Sequence, residues 1–175
     1  MTKKRLDLGC GDAKPDGYVG LDAVSTDDAD IVHDLRDVPL PFDADRFEHV
    51  RAYNSLEHLP DDAFHRVLKE IARITEAGGT VEVTGPHYLS HNAPAADHYR
   101  AFSRVSFDVY TPGHEYPTPE PDLFTVEDIA YTWNDKAVRD PIIRFLRWWR
   151  GDYWLRKHVP NAVDEITFTL EVLPR

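Results

Sequence analysis

The stretch Leu6-Asp7-Leu8-Gly9-Cys10-Gly11 constrains this chain more than any other. Apolar residues alternate from Arg5 to Leu8 as in a short buried strand, and the glycine pair that follows does not favour its continuation. Gly9 and Gly11 let the backbone turn sharply and bring the main chain close to a ligand, while Asp7 adds a carboxylate two residues upstream. Such a turn suits a plain structural bend, a dinucleotide site, or a site for a small molecule carrying a cation. A dinucleotide site needs a third glycine, where this chain has Lys14, and a helix N-terminus for its pyrophosphate, which Pro15 and Gly17 just downstream disfavour.

Strands and polar strand ends then succeed one another. Tyr18–Asp22 reads as a second strand, Ala29–His33 as a third and Phe47–Tyr53 as a fourth, each ending in polar residues. Parallel strands are ordinarily joined by a crossover of about a dozen residues or more, usually helical, so the helices after strands one and two are reduced or missing here. Phe64, Val67, Leu68, Ile71 and Ile74 recur at helical spacing, which predicts a helix from Asp61 or Asp62, as cap, through Thr75. Ala77-Gly78-Gly79 ends it, and a fifth strand, Thr80–Thr84, stops at Gly85-Pro86.

Residues 87–122 are rich in aromatics and prolines. They read as a long irregular lid or substrate region with one helical turn near Ser103–Asp108. Phe124–Trp133 is a sixth strand, Pro141–His158 a helix with a wide apolar face, and Glu165–Leu173 a last alternating strand. The expectation is one α/β domain over residues 1–175. Its first half, 1–86, would bind the cofactor, and its second half, 87–175, would be the variable part.

Charge narrows the partners. With 31 acidic and 20 basic residues and a net charge of -11, the chain lacks the basic balance of a nucleic-acid-binding domain. Among the acids 21 are Asp, and among the bases 14 are Arg, a carboxylate-rich and lysine-poor surface of salt-adapted type. Cys10 is the sole cysteine, so neither an intramolecular disulfide nor a thiolate zinc cluster can form. No apolar run approaches the ~20 residues of a membrane span, and a soluble cytoplasmic protein is expected.

Gly9, Asp22, Asp34, Asn54 and His58 end or follow strands one to four in turn, at the edge where open α/β sheets bind ligands. With Leu6-Asp7-Leu8-Gly9-Cys10-Gly11, Gly20-Leu21-Asp22, His33-Asp34-Leu35, Asn54-Ser55-Leu56-Glu57-His58-Leu59 and Ala77-Gly78-Gly79 in this order, the chain resembles the class I S-adenosylmethionine (SAM)-dependent methyltransferases. The resemblance implies a Rossmann-like, mostly parallel sheet of about seven strands with an antiparallel C-terminal strand. It also implies that Asp7 and the Gly9, Cys10, Gly11 turn hold the methionine part of SAM and that Asp22 holds the ribose hydroxyls. Asp34 and Leu35 would read the adenine, and Asn54 and Ser55 would line the sulfonium side. An acidic cleft suits such a cation, which carries no phosphate.

Methyl transfer depends mostly on orientation in a desolvated pocket, with a base needed only for a weak nucleophile. Glu57, His58 and His87, just past strands four and five, are the candidate catalytic proton acceptors. His87, His91, Asp97 and His98 lie in a proline-broken stretch without cysteines, and no metal site is expected. The acceptor is expected to be a small molecule, with neither nucleic acid nor membrane as partner. A SAM-binding protein without activity is the rival reading. The sheet face left bare by the missing helices should be covered by the helix Pro141–His158, with Trp148, Trp149 and Trp154, or by a second subunit in a homodimer. If the surface is salt-adapted, carboxylate repulsion should make the unfolding midpoint rise steeply with potassium chloride in calorimetric scans; a midpoint indifferent to salt would contradict it.

Overall fold

The computed structural model describes residues 5–114 and 122–175. Seven strands form one sheet in the order β3-β2-β1-β4-β5-β7-β6, comprising β1 (Arg5–Leu8), β2 (Tyr18–Asp22), β3 (Ile31–Val32), β4 (Phe47–Tyr53), β5 (Thr75–Pro86), β6 (Phe124–Trp133) and β7 (Val163–Val172). β1 to β5 pair in parallel, and β7 lies antiparallel between β5 and β6. This is the expected Rossmann-like α/β sheet. The last strand starts two residues earlier than expected, and β3 is reduced to two residues. β5 is extended backwards by Phe47 pairing with Thr75, after which residues 76–79 bulge out before Thr80 pairs with His49.

Strand register explains how the sheet manages without its usual helices. Leu6, Leu8, Val50, Ala52, Val81, Val83, Phe168 and Leu170 share one face, and all are fully buried. Residues between them point the other way: Asp7, Arg51, Glu82 and Thr169 lie in register across β1, β4, β5 and β7, with Thr84, Thr167 and the exposed Ala130 following. Parallel sheets usually bury both faces. Here the second face is polar, and polar side chains pair across it, as where the Thr84 and Thr167 hydroxyls meet at 2.8 Å. It therefore needs no apolar cover.

The apolar face is packed by α1 (Asp61–Ile74), whose Ala63, Phe64, Val67, Leu68, Ile71, Ala72 and Ile74 are buried. Its N-cap is Pro60 rather than an acid with a capping bond, because Asp61 and Asp62 instead pair with Arg100 and Arg66. Beside α1, Phe102, Phe107 and Tyr110 are buried in the same core. Phe107 contacts Phe168 at 4.7 Å between ring centroids and stacks on Phe102. The stretch expected to be a lid is thus partly core, because its aromatic residues find apolar partners on the sheet. Its short helical turn falls at Asp108–Tyr110, and the part of the lid containing Pro117, Pro119 and Pro121 lies outside the described residues.

Two helices link β6 to β7. These are α2 (Asp135–Arg139), capped by the Asn134 side chain, and α3 (Pro141–His158), capped by Asp140 with Pro141 in its first turn. Gly151, at φ 79° and ψ 167°, breaks α3 into two segments. The expectation that α3 covers the sheet is overturned. It stands off the carboxyl end of β6, Leu155 is its buried residue, and Trp148 is 80% exposed. Its apolar residues do not form one stripe, since the kink turns its two halves apart. Among the described residues, no helix is long and apolar enough to cross a membrane.

The one-sided sheet is testable by paired substitutions on the neighbouring strands β7 and β6. Phe168→Ala should lose about 3–5 kcal/mol of unfolding free energy in denaturant titration, and Ala130→Ser on the opposite face less than about 0.5 kcal/mol.

Candidate functional site

The carboxyl edge of β1, β2 and β4 is held together by the turn at Gly9. Gly9 and Cys10 donate backbone N–H groups to the Leu21 carbonyl, and Gly9 has φ 68°. A Cβ there would stand 2.5 Å from the Ser55 Cβ, and the Ser55 hydroxyl donates to the Leu8 carbonyl at 3.0 Å. Gly9 is thus required both by its left-handed backbone and by the close crossing of the β4 turn. Gly11, at φ 52°, has open space where a side chain would begin. Its N–H donates to Asp22 Oδ2 at 2.9 Å, and Val24 N–H donates to Asp22 Oδ1 at 2.9 Å. Each carboxylate oxygen keeps a lone pair beyond these bonds.

The remaining expected cofactor residues are placed as follows. Cys10 is buried, which raises its thiol pKa, with Sγ 3.7 Å from the Asp28 carbonyl. Asp7 points onto the polar face, 2% exposed, with Oδ2 3.2 Å from Arg51 and Oδ1 unpartnered. Burial raises its pKa to about 6, against the pull of Arg51. Asp34 follows β3 with both oxygens held by Arg36, which lowers its pKa, and Leu35 is buried beside it. Asn54, at φ 47°, closes the end of β4. Its amide donates to Glu165 Oε1 at 2.7 Å, and the Tyr53 hydroxyl donates to the same carboxylate.

The candidate proton acceptors separate into two places. Glu57 and His58 form one turn of 3-10 helix after β4, clamped by Arg100, which donates to the Leu56 and Leu59 carbonyls and lies 3.9 Å over the Phe64 ring. Glu57 is buried, which raises its pKa, and it borders a cavity of about 290 Å³ with His58, His98, Asn54, Asp164 and Glu165. His87 borders a different cavity, of about 590 Å³, with Tyr88, Arg104, Tyr131, Tyr153 and Arg156. Glu165, Arg100 and His98 were not singled out as partners of the β4 turn. Glu165 carries a weak signal, since it precedes the alternation of the last strand; Arg100 carries none, being about forty residues from what it clamps.

The sheet order places the glycine turn, Asp22, Asp34 and Asn54 along one edge, and solved structures share the fold of this sheet. A chain of the complex between the Haloferax volcanii Trm112 methyltransferase activator and a methyltransferase superposes with a TM-score of 0.57 at 20% identity, covering 100% of this chain and 86% of that one. A SAM-dependent methyltransferase from Archaeoglobus fulgidus superposes with a TM-score of 0.61 at 12% identity, covering 97% and 86%. The chain has the class I methyltransferase fold. Residues 22–83 match the family model of a methyltransferase domain, which spans Asp22, Asp34 and the Asn54–His58 turn. A phosphoethanolamine N-methyltransferase from Haemonchus contortus in complex with SAM shares the fold at 13% identity and a TM-score of 0.57, this chain spanning 49% of its length. No curated protein matches the sequence. In this chain β1, β2 and β3 are joined by loops alone.

The sequestered imidazole gives a pH test. Burial, with Arg156 nearby, lowers the His87 pKa to about 4, so folding favours the neutral ring. That stabilisation is complete above the unfolded pKa of about 6.5 and is lost as pH falls toward 4. Between pH 7 and 4 the wild type should therefore lose on the order of 3 kcal/mol more than His87→Asn, measured by urea unfolding at each pH.

Proposed function

We propose that this protein is a SAM-dependent methyltransferase acting on a small molecule. The observation that carries the reading is the set of groups at the ends of four adjacent strands. Open backbone at Gly11, hydrogen-bond acceptors at Asp22 and Asp34, and the Asn54 turn form an acidic rim, which suits a cation that carries no phosphate. The residues fit the cofactor in donor chemistry. Gly11 leaves space for a ligand next to the main chain, the Asp22 carboxylate retains acceptor capacity for a diol, and Asp7 Oδ1 lacks a partner. When bound, SAM supplies an electrophilic methyl carbon on a sulfonium.

The chain's own part is to bind, orient and exclude water. Asp22 and Asp34 anchor the nucleoside, and Asn54, fixed by Glu165, holds the wall on the methyl side. Glu57, whose pKa burial raises, and the His58 imidazole stand where a proton leaving an acceptor can be taken up. The His87 cavity, lined by tyrosines together with Arg104, Arg156 and Lys157, is basic in a chain of net charge -11, which supports an anionic or aromatic acceptor. The assembly of the Haloferax volcanii neighbour with a methyltransferase activator supports a protein partner for this chain as well.

Cofactor binding without transfer is a second reading, favoured by the shortened helical layer, in which loops alone join β1, β2 and β3. Calorimetry with S-adenosylhomocysteine should show binding that Asp22→Ala weakens at least about tenfold, the worth of one lost charge-assisted hydrogen bond. Incubation with labelled SAM and a metabolite extract should then move label to a small molecule. Binding without label transfer would select the second reading, and absence of binding by the intact protein would defeat both.

A further inference from the structure

Two buried polar atoms without partners lie side by side at the end of β4. Glu57, 1% exposed, leaves Oε2 without a hydrogen bond, and His98 leaves Nδ1 in the same condition. Leaving such groups unpaired is costly, so each points to something that completes it. The His58 ring lies 4.9 Å from the His98 ring, and among the described residues Glu57, His58 and His98 each place a ligand atom within 4.8 Å of the others. We propose that these three residues form a binding site for one first-row divalent metal ion of the zinc type.

Four observations fit this site. Two imidazoles and a carboxylate are the donor set of Zn²⁺ and its transition-metal neighbours, whereas Mg²⁺ and Ca²⁺ prefer all-oxygen shells. Nδ1 of His58 lies 3.1 Å from the Asp97 carbonyl, which holds the ring and leaves Nε2 for coordination, as outer partners do for metal-bound histidines. The adjoining cavity is lined by Glu57, Asp164 and Glu165 with no Lys or Arg, so its field favours a cation. A tetrahedral ion with bonds of about 2.0–2.2 Å needs ligand atoms roughly 3.3 Å apart. His58, exposed together with its Asp97 partner, and the half-buried His98 can shift to close the remaining gap without disturbing the core.

The site joins two parts of the chain, the turn after β4 and the irregular stretch after β5, whose backbones already meet where Tyr99 N–H donates to the Glu57 carbonyl. Three protein ligands leave at least one coordination position open toward the cavity that Asn54 borders. Resting on the methyltransferase reading, that position takes an oxygen of the acceptor, which restricts acceptors to those with a metal-binding hydroxyl or carboxylate. This departs from the expectation of no metal, which weighed His87 and His91 with Asp97 and His98 and did not pair His98 with the β4 turn.

The test is titration of chelator-treated full-length protein with Zn²⁺ by calorimetry and with Co²⁺ by visible absorption, in millimolar Mg²⁺. One ion per chain and a tetrahedral Co²⁺ spectrum are expected. Glu57→Gln and His98→Asn should each weaken Zn²⁺ binding by more than the roughly 10–100-fold cost of losing a group that merely orients a ligand. His91→Asn, at an exposed residue outside the trio, should change nothing. No Zn²⁺ binding by the wild type, or unchanged binding in Glu57→Gln, overturns the site. If Glu57→Gln does not fold, His58→Ala, at an exposed residue, decides by the same criterion. S-adenosylhomocysteine binding, measured on the same samples, separates the two readings: Zn²⁺ bound without it refutes the methyltransferase reading alone, and the converse refutes the metal site alone.

Discussion

Strand alternation is the constraint on which this structure depends. A parallel sheet is normally sandwiched, and its strands then read as continuous apolar runs. In this chain the central strands set Leu6, Leu8, Val50, Ala52, Val81, Val83, Phe168 and Leu170 on a single face, so one helix and a few aromatic rings suffice to make a core. Arg51 beside Asp7 and the Thr84–Thr167 pair give the other face an internal chemistry that water tolerates. Loss of the early helices is thus matched in the strands themselves, residue by residue.

The ligand edge follows from the same economy. Where a dinucleotide site presents a helix N-terminus after its first strand, this chain presents a loop whose backbone amides are already tied down, Gly9 and Cys10 to Leu21 and Gly11 to Asp22. The turn is stiffened by hydrogen bonds rather than by helical periodicity, and the crossing of Ser55 over Gly9 locks β4 to it. A small change at either glycine would be felt on both sides of the pocket rim.

Much of the frame was legible because it is written locally. Strand ends show in Asp22, Asp34 and Asn54, and α1 shows in the spacing of Phe64, Val67, Leu68 and Ile71. The glycine turn shows in six residues. Legibility fails where meaning depends on contacts distant in sequence. The tryptophans of α3 have the composition of a core helix, yet the kink at Gly151 and the departure of α3 from the end of β6 leave them in solvent. Phe102 and Phe107 sit among prolines and read as lid, but the sheet offers them Phe168. The pairing of His98 with Glu57 spans about forty residues and has no local signature. The polar face is present in the alternation of Thr167 and Thr169, so the sheet does not require the cover that its missing helices imply.

The helical excursion between β6 and β7 leaves the sheet at Trp133 and returns at Val163, which pair directly across the ladder. Its two ends are therefore fixed by neighbouring positions of one hairpin, whatever lies between. Residues 134–162 contribute Tyr153, Arg156 and Lys157 to the basic cavity while carrying little of the core. Such a segment can be lengthened, shortened or exchanged during evolution with the register of the sheet intact. A lineage built on this frame can change what it recognises by rewriting one loop-like module, leaving the glycine turn and its acids untouched.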